Sequence, residues 1–154
     1  MFLNTTISRT ELARSTRQAI EQARRGQTIL VASYGEEQVA IVDALDYRLL
    51  RAAAAYRARP DAPVQDASAI PQGLTAETIA AAQAAAGGDP QVVWEQVVTA
   101  YLDGHISLGR AAALLQQSRF ELQARFNRLG LPLRLGPTTT AEGQAEYNAL
   151  TDPA

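Results

Sequence analysis

The side chains in this sequence that are best suited to chemistry are arginines, and the chemistry they suit is recognition of phosphate and of base edges. Arg9, Arg14 and Arg17 fall in a helical pattern that begins at Ser8, with Thr10 beside them. The start of a helix attracts anions through free N–H groups and the dipole, and a guanidinium can pair with guanine in the major groove. We therefore expect Arg9, Thr10, Arg14 and Arg17 to contact DNA; the alternative is a solvated arginine face.

Other reactive residue types are scarce or poorly placed for catalysis. The chain has no cysteine, which excludes disulfides and thiolate sites, and its single histidine, His105, follows Asp103-Gly104 in a turn. A lone histidine makes a poor metal site, and Asp43 and Asp46 are interpreted as carboxylates at a helix start. With no phosphate loop, triad or metal cluster, we expect no enzyme, no catalytic or metal-binding residue and no cofactor.

The first fifty residues predict one compact unit made of a helix, a hairpin and a second helix. Ser8 and Glu11 form a capping box, and Gly26 ends the first helix. The β-rich runs 28–33 and 38–42 flank a four-residue connection, which is typical of a hairpin. We expect their large apolar side chains to lie in the core or in a dimer seam; these are Ile29, Val31, Val39 and Ile41.

Charge is distributed unevenly along a chain whose net charge is only −2. Residues 1–59 contain nine arginines and six acidic residues, whereas residues 60–154 contain five arginines and ten acidic residues. This asymmetry suits a protein that meets phosphate with one end and a cationic partner with the other. An ordinary charged surface is the alternative interpretation.

Residues 59–90 predict a linker that contains one short helix. The stretch holds Pro60, Pro63 and Pro71 among small polar residues, a composition typical of connecting segments. An alanine-rich helix is predicted to begin at Thr75 and to end at Gly87-Gly88.

Residues 91–150 predict an all-α unit with two short helices joined in a helix-turn-helix pattern. In the second of these helices we expect the large apolar residues to face inward; these are Phe120, Leu122, Phe126 and Leu129. The polar residues between them are expected to face outward; these are Arg119, Gln123, Asn127 and Arg128. That outward set suits either base-edge recognition or a protein partner, and the sequence leaves both open.

The first third of the chain resembles the Phd/YefM antitoxins. The resemblance rests on an ordered set: Ile7-Ser8, Glu11-Leu12, Gly26, the two β-rich runs, and Asp46-Tyr47 followed by Leu50. It implies a homodimer whose paired N-terminal domains bind operator DNA, and a more C-terminal segment that neutralises a toxin.

The second half, from residue 92 to about residue 147, resembles small bacterial helix-turn-helix proteins. The pattern runs from Tyr101 through Leu115, then Phe120, then Gly130-Leu-Pro. Such proteins are often antitoxin-like partners of PIN-domain ribonuclease toxins, so the resemblance implies a PIN-type toxin as the partner.

Together these observations predict an α+β protein with three parts. They are a Phd/YefM-like dimerisation and DNA-binding domain (1–58), a Pro/Ala-rich linker with a short helix (59–90), and a helix-turn-helix-like domain (91–150). The expected function is a type II antitoxin that represses its own operon. The alternatives are a dimeric interaction scaffold without DNA binding, favoured by the non-basic hairpin tip Ser33–Glu36, and a free-standing transcriptional regulator. With no secretory pattern and no apolar run of roughly 20 residues, we expect a cytoplasmic protein without membrane partners.

Overall fold

The predicted α+β class is confirmed by a computed structural model, which describes residues 4–60, 74–133 and 140–151. A three-stranded sheet lies in the N-terminal part, and the remainder of the described chain is helical. None of the described helices is both long enough and apolar enough to cross a membrane.

The N-terminal part contains one strand more than the sequence predicts. Its elements are β1 (Asn4–Ser8), α1 (Arg9–Arg14), α2 (Thr16–Arg24), β2 (Thr28–Ser33), β3 (Glu36–Ile41) and α3 (Ala44–Arg57). The sheet has the order β1-β2-β3, in which β1 runs parallel and β3 antiparallel to the central β2. Because β1 leads directly into α1, the sheet fixes where the first arginine helix begins.

The first helix and the hairpin turn both differ from their predicted form. A break at Ser15 divides the helix into α1 and α2, and the Thr16 hydroxyl donates to the Leu12 carbonyl at 2.6 Å. Side chains of this type compete with helical hydrogen bonding. The hairpin turns on two residues, Tyr34 and Gly35, which both have positive φ, as the tight turns favoured in hairpins require. The predicted four-residue connection is therefore wrong.

The helices of the second half begin where local capping groups place them. They are α4 (Ala76–Ala85), α5 (Pro90–Leu102), α6 (Leu108–Leu114), α7 (Arg119–Arg128) and α8 (Thr140–Thr151). Side chains at Thr75, Asp89, Ser107 and Ser118 accept hydrogen bonds from the first-turn N–H groups of α4 to α7, which satisfies donors that a helix start otherwise leaves free. Within the predicted linker, residues 61–73 lie outside the described residues.

The hydrophobic core joins α3 to the helices of the second half. Leu49 and Ala52 of α3 are fully buried in the same cluster as Val97, Tyr101 and Phe126. The rings of Tyr101 and Phe126 meet edge to face with centroids 5.1 Å apart, a favourable arrangement for aromatic pairs. The core thus runs across residue 58, where the sequence places the first domain boundary.

The sheet buries one part of its predicted apolar set and exposes another. Ile29 and Val31 on the central strand are buried, and Ile41 is half-buried. Val39 lies opposite Val31 on β3 but is 60% exposed. Ile29 and Val31 are therefore core residues, and Val39 is available to a partner.

Gly26, between α2 and β2, provides a test of how closely the two halves pack. It has φ +93°, and a Cβ built there would lie 2.6 Å from the guanidinium of Arg128, which is itself hydrogen bonded to Asp46. Gly26→Ala therefore combines left-handed backbone strain, about 1–2 kcal/mol, with displacement of a fixed guanidinium.

We expect Gly26→Ala to lower the free energy of unfolding by more than Gly88→Ala, measured by urea denaturation. Gly88 is the matched control because it has a similar φ of +84° with nothing within 4 Å of a built Cβ. Equal losses for the two variants would contradict the close contact between Gly26 and Arg128.

Candidate nucleic-acid and protein interfaces

All four predicted DNA contacts lie exposed on the short helices that follow β1. Arg9 and Thr10 are the first two residues of α1, Arg14 is its last residue, and Arg17 lies in the first turn of α2. Arg17 pairs with Glu21 at 3.1 Å across one helical turn. No ion pair of Arg9 or Arg14 occurs among the described residues. Their charges therefore remain available to an anionic ligand.

The backbone at the start of α1 contributes less to anion binding than the sequence predicts. Glu11 accepts from the Ser8 N–H at 2.7 Å, and the Ser8 hydroxyl accepts from the Glu11 N–H at 3.1 Å. The hydrogen bonds from Ser8 lower the pKa of Glu11, so a carboxylate already occupies this end of a helix of only six residues. Any attraction of phosphate to this surface therefore comes from the arginine side chains.

The second predicted surface, on α7, is only partly available. Arg119 and Asn127 are exposed and Gln123 is half-buried. Arg128 was predicted to face outward, but it donates to Asp46 from Nε at 2.9 Å and from Nη2 at 2.8 Å. The sequence interpretation of Arg128 as an outward recognition residue is therefore wrong.

Phe120 was predicted to face inward and is instead 81% exposed. Leu122 and Phe126, four residues apart, form the buried face of α7. Phe120 precedes Leu122 by two residues, a rotation of about 200° around the helix. The prediction rested on the apolar character of Phe120, whereas its position on the helix turns it away from the buried face. Its ring therefore lies on the surface, next to Arg119 in the sequence.

Two carboxylates and two guanidiniums form a charge cluster between α3 and α7. We call it the seam cluster; it consists of Asp43, Asp46, Arg125 and Arg128. Nη1 of Arg125 donates to Asp43 at 2.6 Å and to Asp46 at 2.5 Å, while Arg128 binds both oxygens of Asp46. The Asp43 carboxylate also accepts from the N–H groups of Leu45 and Asp46 as the cap of α3. The cluster thus fixes the start of α3 to α7.

The seam cluster is held in a poorly solvated place. Asp46 is only 4% exposed. Burial by itself would lower the pKa of Arg125, but hydrogen bonds and charge from Asp46 and Asp43 raise it instead. Removing one member of such a cluster leaves an uncompensated buried charge, which is strongly unfavourable. The Nε of Arg125 is buried without a hydrogen-bond partner among the described residues.

A second polar contact joins the end of α3 to the end of α5. The Tyr56 hydroxyl donates to Asp103 at 2.9 Å, Arg59 donates to both oxygens of Asp103, and the Arg59 guanidinium lies 4.4 Å from the Tyr56 ring centroid. Burial raises the pKa of Asp103, but hydrogen bonds from Arg59 and Tyr56 lower it overall. The hydrogen bond to Asp103 raises the pKa of Tyr56.

The seam cluster is not evident from the sequence, although its acidic half is. Asp43 and Asp46 were assigned to a helix start, and Asp43 does cap α3. Their cationic partners lie about eighty residues away along the chain, and a spacing of that size gives no periodic signal. Among the described residues, no group of histidine, aspartate and glutamate side chains gathers to hold a metal ion.

Asp46→Asn removes the charge shared by Arg125 and Arg128 while keeping the size of the side chain. We expect it to lower the free energy of unfolding by about 3 kcal/mol, because a guanidinium is left without its counter-charge in a buried place. Glu21→Gln is the control: it breaks the exposed Arg17–Glu21 pair and should cost no more than about 0.5 kcal/mol. Similar losses from the two variants, measured by chemical denaturation, would contradict a structural role for the seam cluster.

Comparison with known proteins assigns this chain to no family. No protein-family model, curated protein or solved structure matches it. The features that bear on function are its exposed arginines, its α7 surface and the seam cluster between α3 and α7.

Proposed function

We propose that this protein is the antitoxin of a type II toxin–antitoxin system, which binds the DNA of its own operon and neutralises a toxin protein. In this proposal, residues 1–58 have the Phd/YefM-like arrangement and act as a homodimer. The observation that carries the proposal is the set of exposed arginines, Arg9, Arg14 and Arg17, on the two helices next to the sheet.

The DNA half of the proposal is supported by a difference between two sets of arginines. Arg125 and Arg128 on α7 are engaged by Asp43 and Asp46. Arg9 has no such partner among the described residues, nor does Arg14, and Arg17 meets only an exposed glutamate. Free guanidiniums supply the salt-dependent attraction that dominates binding to duplex DNA. Because two of the three α7 arginines are engaged in this way, the contrast favours α1 and α2 over α7 as the DNA-binding surface, and we do not propose a regulator with two DNA-reading units.

The homodimer is supported by apolar side chains that the N-terminal part leaves uncovered. Val39 on β3 is exposed, as are Ile20 on α2 and Tyr47 and Leu50 on α3. An open edge strand with exposed apolar side chains favours association. A two-fold dimer would present its arginine helices to half-sites about 34–36 Å apart.

The toxin half of the proposal is supported by charge. Residues 60–154 contain twice as many acidic residues as arginines, and Glu77, Asp89 and Glu121 are exposed on the helical part. A toxin that binds RNA, such as a PIN-type ribonuclease, needs a cationic cleft, and an acidic surface is complementary to it.

A second candidate is a dimeric scaffold that does not bind DNA, and one contact favours it. The Thr6 hydroxyl donates to Glu37 at 3.3 Å, which places a carboxylate of the hairpin beside the strand that leads into α1. Glu36 is also exposed there. Negative charge near Arg9 opposes phosphate, so a scaffold is the function expected if the arginines fail to bind DNA.

Binding to the duplex upstream of its own gene tests the proposal. We expect binding that weakens steeply with salt, and Arg14→Ala should lower affinity by about tenfold or more at physiological salt. Because each dimer loses two contacts, the slope of log K against log salt should become shallower by about two. Fluorescence anisotropy across a salt series measures both quantities.

Arg57→Ala is the matched control, since Arg57 is an exposed arginine on α3. It should leave the affinity and the salt slope unchanged. Duplex that stays unbound at low salt would contradict the repressor proposal and favour the scaffold, whereas equal effects of the two substitutions would contradict a specific role for α1.

A further inference from the structure

A groove of about 400 Å³ lies between α4, α5 and α6. Its lining combines buried, half-buried and exposed side chains; among them are Ile79, Val93, Trp94, Arg110, Leu114 and Gln116. Apolar side chains thus form much of a concave surface that is open to solvent, which is typical of a site for another molecule.

One arginine, Arg110, lines the groove. Among the residues that line it, Arg110 is the one with a formal charge. Arg110 is exposed, and no ion pair or side-chain hydrogen bond of its guanidinium occurs within the described residues. A groove that combines apolar side chains with a guanidinium is complementary to a ligand in which a carboxylate lies next to an apolar group.

At the edge of the groove, Gln116 has a backbone conformation that is unfavourable for a residue with a side chain. Gln116 has φ +55°, and its position just after α6 is one where glycine is the usual residue. The Gln116 and Gln117 N–H groups donate to the Ala113 and Ala112 carbonyls and so close the helix. A side chain retained in the left-handed conformation despite its cost, and lining the groove, fits a role in binding.

We propose that this groove binds a segment of the toxin in which an apolar side chain lies beside an aspartate or glutamate. The identity of the partner rests on the function proposed above, whereas the chemistry of the segment follows from the groove. The apolar side chain packs against Trp94 and Leu114, and the carboxylate pairs with Arg110.

Trp94 provides a direct signal of occupancy, because it is the only tryptophan in the chain and it lines the groove. The experiment uses the full chain and the protein encoded by the adjacent gene. Complex formation is first measured by calorimetry. Overlapping tryptophan-free peptides that tile the partner are then titrated while Trp94 emission is recorded. We expect one acidic, apolar peptide to change the emission and a version with amides in place of its carboxylates to bind at least about tenfold more weakly.

Arg110→Glu tests the groove within the full complex. Arg110 is the third residue of a helix capped by Ser107, so a glutamate there completes a capping box and the fold should be kept. Arg119→Glu makes the same charge change in the first turn of α7, where Arg119 is exposed after the capping residue Ser118, and so tests α7 as the alternative docking surface. We expect Arg110→Glu to weaken the complex by at least about tenfold and Arg119→Glu to change it by less than about twofold.

Four other outcomes would each overturn the groove proposal, and they can be told apart. If the complex forms and Arg110→Glu has no effect, the toxin binds elsewhere and the antitoxin function stands. If Arg119→Glu alone weakens it, α7 is the docking surface. If Arg110→Glu instead dissociates a homodimer in sedimentation, the occupant is a second copy. If the unmodified chain forms no complex, toxin neutralisation and the groove proposal both fail.

Gln116→Gly separates a binding role from a structural one. Glycine relieves the left-handed strain while adding freedom to the unfolded chain, so the thermal midpoint should not fall. Affinity for the toxin should fall by several-fold, because a side chain that lines the groove is lost. Unchanged affinity would contradict the placement of Gln116 at the binding surface.

Discussion

Two carboxylates at the start of α3 must be neutralised where water has little access, and the arginines that neutralise them come from α7. Asp46 is buried, and it is bound on both oxygens by Arg128 and on one by Arg125. A buried ion pair adds little net stability compared with an apolar contact, but a missing partner is costly. The seam cluster therefore restricts how α3 and α7 can be placed relative to each other, and α3 in turn carries Leu49 into the helical core.

The seam cluster also withdraws two α7 arginines from solvent. A helix-turn-helix unit that read DNA would need its second helix free, yet Arg125 and Arg128 are held against α3. Two sets of exposed arginines carry the functional proposals: those of α1 and α2, and Arg110 at the groove. One set faces outward beside an open sheet and suits phosphate; the other borders an apolar groove and suits a carboxylate next to a hydrophobic side chain.

Features determined by nearby residues were predictable, and features that depend on distant residues were not. Helix starts at Ser107 and Ser118 follow from side chains that reach the adjacent N–H groups. Strand β1 is mostly polar and exposed, so it shows no apolar alternation. It forms a strand because the central strand β2 pairs with it. The position of Phe120 could have been predicted from its helical angle relative to Leu122. The pairing of Arg125 with Asp46 could not, because tertiary packing alone brings them together.

The central claim is that the seam cluster engages Arg125 and Arg128 of α7, whereas Arg9 and Arg14 of α1 remain accessible. Modification of arginine by a dicarbonyl reagent, followed residue by residue with mass spectrometry, tests it in one measurement. The account predicts rapid modification of Arg9 and Arg14 and slow modification of Arg125 and Arg128, with added operator duplex protecting only the first pair. Equal rates at all four residues, or protection by DNA on α7, would contradict it.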